Sequence, residues 1–206
     1  MSIATPIIEM HYLPCIAYIK EISKYSTVAI EAYEHFIKQT YRNRCSIYGA
    51  NGKQDLIIPL VKKSAKIPVK DLQISYDMKW QHTHFMSIHS AYKSSPYYDF
   101  YEEEVRTLFS QNQKYLLDFN IKCLEWVLKT LKLPTTISLT EQYVVSDEVE
   151  HDLDFRNKIH PKKEIVVEHP KYLQVFEEKH SFKENLSIID WIFNDLQGAR
   201  STLVRF

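Results

Sequence analysis

Glycine is nearly missing from this chain: Gly49, Gly52 and Gly198 are the only three in 206 residues. A dinucleotide fingerprint or a P-loop needs several glycines so that backbone can approach phosphate closely. Neither motif is present, so no cofactor is expected. Any bound phosphate must be held by side chains or by a helix N-terminus. Cysteine is scarce too. Cys15, Cys45 and Cys123 are odd in number and far apart, which argues against a disulfide framework and for the reduced thiols of a cytoplasmic protein. Excess charge of either sign is absent, with 26 basic and 26 acidic residues. A general nucleic-acid binder carries a clear basic excess, so nucleic acid is not expected as a partner. No apolar run approaches the roughly 18 residues of a membrane span. The first residues, "MSIATPIIEMHYLP", lack the basic n-region and apolar h-region of a secretory signal.

What is there is ordinary in proportion and rich in rings. Apolar residues make up 45% and charged residues 25%, with 14 Tyr, 10 Phe and 3 Trp. A chain of this length buries roughly 70% of its unfolded surface. Aromatic side chains bring large buried area with a polar tip, which suits both cores and ligand pockets.

The pattern along the chain predicts a single α/β domain over residues 1–206, with a mixed sheet, a βαβ start, a hairpin and flanking helices. "TPIIEMHYL" reads as a strand, and Pro14 opens a short helix with Ile16, Ile19 and Ile22 on one stripe. "TVAIEA" returns as a strand, which completes a βαβ unit. "CSIYGANGKQDLIIPLV" is a hairpin, with Asn51-Gly52 expected in a type I′ turn. "VKDLQISY" reads as a strand through Val69, Leu72 and Ile74. A helix starts at Trp80 and ends before Pro96, and "YYDFYEEEVRTLFSQ" is another. "KYLLDFNIKCLEWVLKTLKL" is the clearest helix, and "TTISLT" a strand after it. Residues 145–170 are polar and without period, and read as a loop or lid. In the last helix Ser187 and Asp190 have the spacing of a capping box.

One stretch concentrates chemistry. In "FIKQTYRNRCSIYGANG" the cations Lys38, Arg42 and Arg44 crowd around Tyr41 and Asn43. Guanidinium is a planar fork suited to carboxylate or phosphate. Two residues apart in an extended segment, Arg42 and Arg44 are expected on one side, with Asn43 turned into the fold. Two readings stay open. The block is an anion site for a nucleotide-sugar or carboxylate substrate, or an arginine is tied to Glu31 or Glu34 just upstream. His11 lies at the end of the first strand, where open α/β sheets bind ligands. His84 shares a helix with His82 and His89, at spacings that do not converge on one metal, so no metal site is expected. His84 is either a proton-handling group or a hydrogen-bonded core histidine. Gln174 and Asn185 are candidate pocket residues. Asp190 is a helix cap or a catalytic carboxylate. Cys45 is a cation-activated thiolate or a buried strand residue.

"YLPCIAYIKEI", "KQTYRNRCSIYGANG", "LIIPLVKK", "WQHTHFMSIHSAYKSSPYYDFY" and "YLQVF…FKENLSIIDWIFN" occur in that order. This series resembles the WbqC-like protein family, in the version common in Bacteroidetes-type bacteria, over nearly the whole chain. Met10-His11 stand where many members have Gln-Pro, and Ala17 where many have glycine. The resemblance implies a role in O-antigen or other surface-polysaccharide biosynthesis, as a transferase moving glycine or another acyl group to a sugar. Lys38, Tyr41, Arg42, Asn43 and Arg44 would then bind an anionic activated donor, a nucleotide-sugar or acyl donor, with His11 or His84 handling the proton. The alternative is a non-catalytic binding module associated with cell-envelope biosynthesis.

Overall fold

The computed structural model describes residues 5–62, 64, 66–163 and 171–204. The chain opens with β1 (Ile7–Ile8), α1 (Ile16–Ile22) and β2 (Thr27–Ile30). The two strands pair in parallel, Ile7 with Ala29 and Ile8 with Ile30, so the expected βαβ unit is present. β1 is much shorter than its sequence pattern, and beyond Ile8 polar and apolar side chains are enclosed alike: Glu9, Met10, His11 and Tyr12 are all buried.

β3 (Arg44–Gly49) and β4 (Gly52–Ile57) form the expected antiparallel hairpin. Its turn differs from type I′. Gly49 pairs with Gly52, leaving Ala50 and Asn51 between them, and of these residues only Gly52 has a positive φ, at 99°. A single left-handed glycine at the end of the turn serves where two left-handed residues were expected. The parallel and antiparallel strands are divided between two sheets. β5 (Thr136–Leu139) extends the parallel one in the order β1-β2-β5, and β3 and β4 stand apart from it.

The segment 69–76 is not a strand. Pro68 leads into a 3-10 turn over Val69–Asp71, followed by extended backbone held by single bridges, Leu60 to Ile74 and Gln73 to Tyr115. The apolar spacing explains this: Val69 and Leu72 are three apart, one 3-10 turn, and only Leu72 and Ile74 keep the period of two.

The helices follow their sequence periods closely: α2 (Trp80–Tyr92), α3 (Tyr98–Ser110) and α4 (Leu116–Leu131). α4 ends with Lys132 in the left-handed conformation, φ 57°, two residues before Pro134. A four-residue helix, α5 (Glu177–His180), precedes α6 (Ile188–Leu203), which is kinked at Asp195. The expected capping box at Ser187 is replaced by tertiary bonds. The Ser187 hydroxyl donates to the Leu13 carbonyl at 2.8 Å, and Asp190 receives side chains from elsewhere. α6 and α4 pack together, with Trp191, Ile192 and Phe193 fully buried.

The described part of the segment read as a loop or lid is sewn onto the edge of β1. The Phe155 N–H donates to the Ile7 carbonyl at 2.8 Å, and Asp154 bridges Ile7 in parallel. Residues 164–170 of that segment lie outside the described residues.

Candidate functional site

Beyond the carboxyl ends of β1 and β2 the side chains of Glu9, His11, Glu34 and Arg42 meet in the protein interior. Ligands bind past such strand ends in open parallel sheets. Arg42 is fully buried, and its Nε and Nη2 donate to the two Glu34 oxygens at 2.7 and 2.5 Å. Nη2 also donates to Asn157 Oδ1 at 3.0 Å. The Arg42 carbonyl is held by Asn120 of α4, whose Nδ2 donates at 2.7 Å. Asn157, at φ 59°, brackets the cluster: its N–H donates to Glu9 Oε2 at 3.0 Å while its side chain accepts from Arg42. Asparagine tolerates that left-handed conformation better than most residues.

His11 Nε2 lies 3.2 Å from Glu9 Oε1. Its ring packs on Tyr18, centroids 4.5 Å apart, and on Tyr41 at 5.2 Å. Burial pulls the His11 imidazole below its ordinary range, against the pull of Glu9 in the other direction. Burial pushes the Glu9 carboxyl up, but the hydrogen bond from His11 and the field of Arg42 outweigh it and hold Glu9 below its usual range. A carboxylate only accepts, so the neutral imidazole carries its proton on Nε2 and presents a bare Nδ1. Burial raises the Glu34 carboxyl, with Arg42 opposing and the charges of Glu9 and Glu31 adding to the rise.

Four atoms here are buried without a hydrogen-bond partner: His11 Nδ1, Tyr18 Oη, Arg42 Nη1 and Asn120 Oδ1. Buried polar groups are nearly always paired, which makes this cluster the candidate site. A cavity of about 560 Å³ lies alongside, lined by Tyr33, Glu34, His35, Ile37, Tyr143 and Asn157. Glu34 and Asn157 are thus shared between the cavity wall and the cluster.

The basic block is divided by the fold. Arg42 turns inward to Glu34. Arg44, at the start of β3, reaches across the hairpin to Asp55 at 3.3 Å and stays partly exposed. Asn43 is buried and donates to the Ile58 carbonyl at 2.9 Å. Lys38 is exposed. Tyr41 is buried against His11. The two arginines do not share a side, because Arg42 lies just before the strand rather than in it. Glu31 takes a different partner, Arg156 Nη1 at 3.3 Å, and Arg156 also holds Asp154 at 2.6 Å.

His84 stands in another cluster. Its Nδ1 is 2.9 Å from the Tyr12 hydroxyl, and its ring meets Trp80 edge-on at 5.1 Å. Tyr12 and His11 are neighbours in sequence but point to different places. Burial pulls His84 down to about 4. Gln174 and Asn185 serve other groups: Gln174 Nε2 donates to Asp190 Oδ2 at 2.9 Å, and Asn185 Oδ1 accepts from the Ala17 N–H at 2.9 Å. Cys15, Cys45 and Cys123 are free and buried, and burial pushes the Cys45 thiol well up, away from thiolate. Among the described residues no group of three or more His, Cys, Asp or Glu is placed to hold a metal ion. Nor is any helix there long and apolar enough to cross a membrane.

Sequence reasoning missed Glu9, Tyr18 and Asn157. Glu9 and His11 are two apart, a spacing that puts both on one side of an extended segment. Asn157 carries no such signal, because it sits in a polar stretch without period.

No curated protein and no solved structure matches the chain. The model of the WbqC-like protein family matches residues 10–164, a span that takes in His11, Glu34, Arg42 and Asn157. With most of its length inside that match, the chain belongs to the WbqC-like protein family.

Proposed function

We propose that this chain is a transferase of surface-polysaccharide biosynthesis that moves an acyl group from an activated donor to a sugar, with Glu9 and His11 as its proton-handling pair. The family's loose association with O-antigen biosynthesis supplies the setting. The observation that carries the reading is the His11 ring: one nitrogen fixed by Glu9, the other buried and bare, beside an unsatisfied Arg42 N–H. That is the arrangement of a general base held in one tautomer by a carboxylate.

His11 Nδ1 takes a proton from the acceptor as its nucleophilic atom bonds to the acyl carbon. Arg42 Nη1 donates to the carbonyl oxygen as negative charge collects there. The bond to the leaving group then breaks, and His11 returns the proton to that group. Asn157 and Glu34 stand between the cavity and the pair, so a shift of Asn157 joins them, the part expected of a lid. Arg42 and Arg44 are engaged by Glu34 and Asp55, which leaves Lys38 as the cation of the block for an anionic donor. His84, sealed among rings, has a packing role in this reading.

The second reading, a binding module without turnover, is favoured by the same seal: Arg42 already has its carboxylate, and His11 is fully buried. Transfer separates the two. The protein is incubated with acyl thioester or acyl phosphate donors and nucleotide sugars, and the products are followed by mass. General-base loss is worth roughly 10²–10⁴-fold, so His11→Gln is expected to lower transfer by that much with the thermal melt preserved. Transfer unchanged by His11→Gln removes the base. No transfer from any pairing, with ligand still bound, leaves the binding module.

A further inference from the structure

The unpaired atoms of the cluster have a chemical preference. His11 Nδ1 is an acceptor, since Nε2 carries the proton toward Glu9. The Tyr18 hydroxyl, packed on that ring, either accepts or donates. Both are fully buried. The charges around them point the same way. Glu9 and Glu34 are the carboxylates that act on these two groups, and Arg42, bonded to Glu34, is the guanidinium. Two against one leaves the spot acidic while His11 is neutral. An anion placed there meets repulsion, and an N–H-rich cation meets acceptors.

Outside the cluster the sign reverses. Lys163 is exposed, and its ammonium sits 2.9 Å from the carbonyl of Asn157, a residue that lines the cavity. Lys70 lies over the ring of Tyr33, another lining residue, 4.5 Å from its centroid, with Asp71 at 4.0 Å. Lys38 follows Ile37 of the same wall. Two tyrosines, Tyr33 and Tyr143, offer ring surface inside the cavity.

We infer that the ligand of this site is an amino-sugar phosphate, its primary amine turned inward to His11, Tyr18 and the carboxylates and its phosphate outward to Lys163 and the neighbouring lysines. The inference rests on the transferase reading for the site but not for the turnover: it makes the acceptor an amine where that reading left the nucleophile open. An amine supplies the donors that His11 Nδ1 and Tyr18 Oη lack, and a ring hydroxyl or oxygen supplies the acceptor that Arg42 Nη1 lacks.

Calorimetric titration of the full chain tests it with four compounds: glucosamine 6-phosphate, N-acetylglucosamine 6-phosphate, glucosamine and inorganic phosphate. The first is expected to bind at least about tenfold more tightly than each of the others, the scale of one charge-assisted hydrogen bond. Lys163→Ala, an exposed change, is expected to erase the advantage over glucosamine. Glu9→Gln is expected to erase the advantage over the N-acetylated compound. If Glu9→Gln fails to fold, the comparison of amine with N-acetyl on the unmodified protein decides that arm. N-acetylglucosamine 6-phosphate binding as tightly as the free amine overturns the inward amine. Glucosamine binding as tightly as its phosphate, an unchanged profile in Lys163→Ala, or no binding of any compound overturns the proposal as well. Amine preference without acyl transfer upholds this inference and removes the transferase. Transfer to hydroxyl acceptors without amine preference does the reverse.

Discussion

Two buried polar clusters can be set side by side. One gathers Glu9, His11, Glu34, Arg42 and Asn157 past the parallel strands. The other gathers Tyr92 of α2, Tyr172, Gln174 and Asp190 of α6. In the second, Asp190 accepts from the Tyr92 hydroxyl at 2.9 Å, the Tyr172 hydroxyl at 2.6 Å and Gln174 Nε2 at 2.9 Å. Tyr92 Oη in turn accepts from the Tyr48 N–H at 3.2 Å. That network ties four separate segments together. The first cluster uses bonds as short, yet leaves His11 Nδ1, Tyr18 Oη and Arg42 Nη1 without partners and borders a cavity. Both are costly to build, since burying polar groups demands compensation. The difference lies in completion: the polar groups of the second are paired within the chain, and several of the first are not.

The largest expected effect tests whether Arg42 is a structural tie as well as a site residue. Arg42→Met leaves the Glu34 carboxylate buried beside Glu9, and removal of one partner of such a pair costs roughly 3–5 kcal/mol. Neutralising both, as Arg42→Met with Glu34→Gln, is expected to recover most of that loss in urea unfolding. Arg44→Ala, which breaks only the partly exposed contact with Asp55, is expected to cost less than about 1 kcal/mol. Equal losses at Arg42 and Arg44 would show that burial does not separate them.

The next effect is one of pH and pits the Asp190 network against His84. Burial pushes the Asp190 carboxyl up to about 6 from 3.8, despite its three donors. The folded chain then holds a proton that the unfolded chain releases. That contribution to stability is present below pH 4 and lost as pH rises to 6. His84 is pulled down from 6.5 to about 4. The unfolded chain takes its proton first, so this contribution is present above pH 6.5 and lost as pH falls to 4. Each is worth roughly 3 kcal/mol across its window, and the two oppose. Asp190→Asn is expected to make stability rise with pH between 4.5 and 6.5, and His84→Gln to make it fall, by urea midpoints. Parallel slopes in the two variants would discard the assignment.

The smallest effect is the sharpest on the comparison itself. Tyr172→Phe removes a hydroxyl that Asp190 depends on, and is expected to cost about 1–3 kcal/mol. Tyr18→Phe removes a hydroxyl without a partner, and is expected to leave thermal stability within about 0.5 kcal/mol or raise it. A loss above about 1 kcal/mol at Tyr18 would mean that its hydroxyl is already satisfied.

The helices α2, α3 and α4 were legible because their signal is local: an apolar residue every three or four positions and, for α2 and α4, a proline beyond the end. The hairpin was legible for the same reason, down to its strands, though not its turn type, since Asn51-Gly52 fits the favoured turn by residue type while the chain places only Gly52 in the left-handed region. The segment at 69–76 misled because three apolar residues at mixed spacing fit a strand as easily as a 3-10 turn. Ser187 and Asp190 have the spacing of a capping box, but spacing is silent about Leu13, Tyr92 and Tyr172, which take their hydrogen bonds instead. Of the site, His11 and Arg42 were visible as residue types suited to proton and anion chemistry. Their company was not.

The sequence by itself determined which segments coil and which extend, because those preferences are written over a few neighbouring residues. It also fixed the stock of groups: a basic block, paired acids upstream and few glycines. Only the tertiary structure decided that Arg42 faces inward and Arg44 outward, and that His11 and His84 go to different clusters. Arg42 meets Glu34 eight positions away and Asn157 at a separation of 115. Contacts of that kind are set by how sheet, loop and helix stack, and a charge in the interior keeps whichever partner that stacking brings within reach.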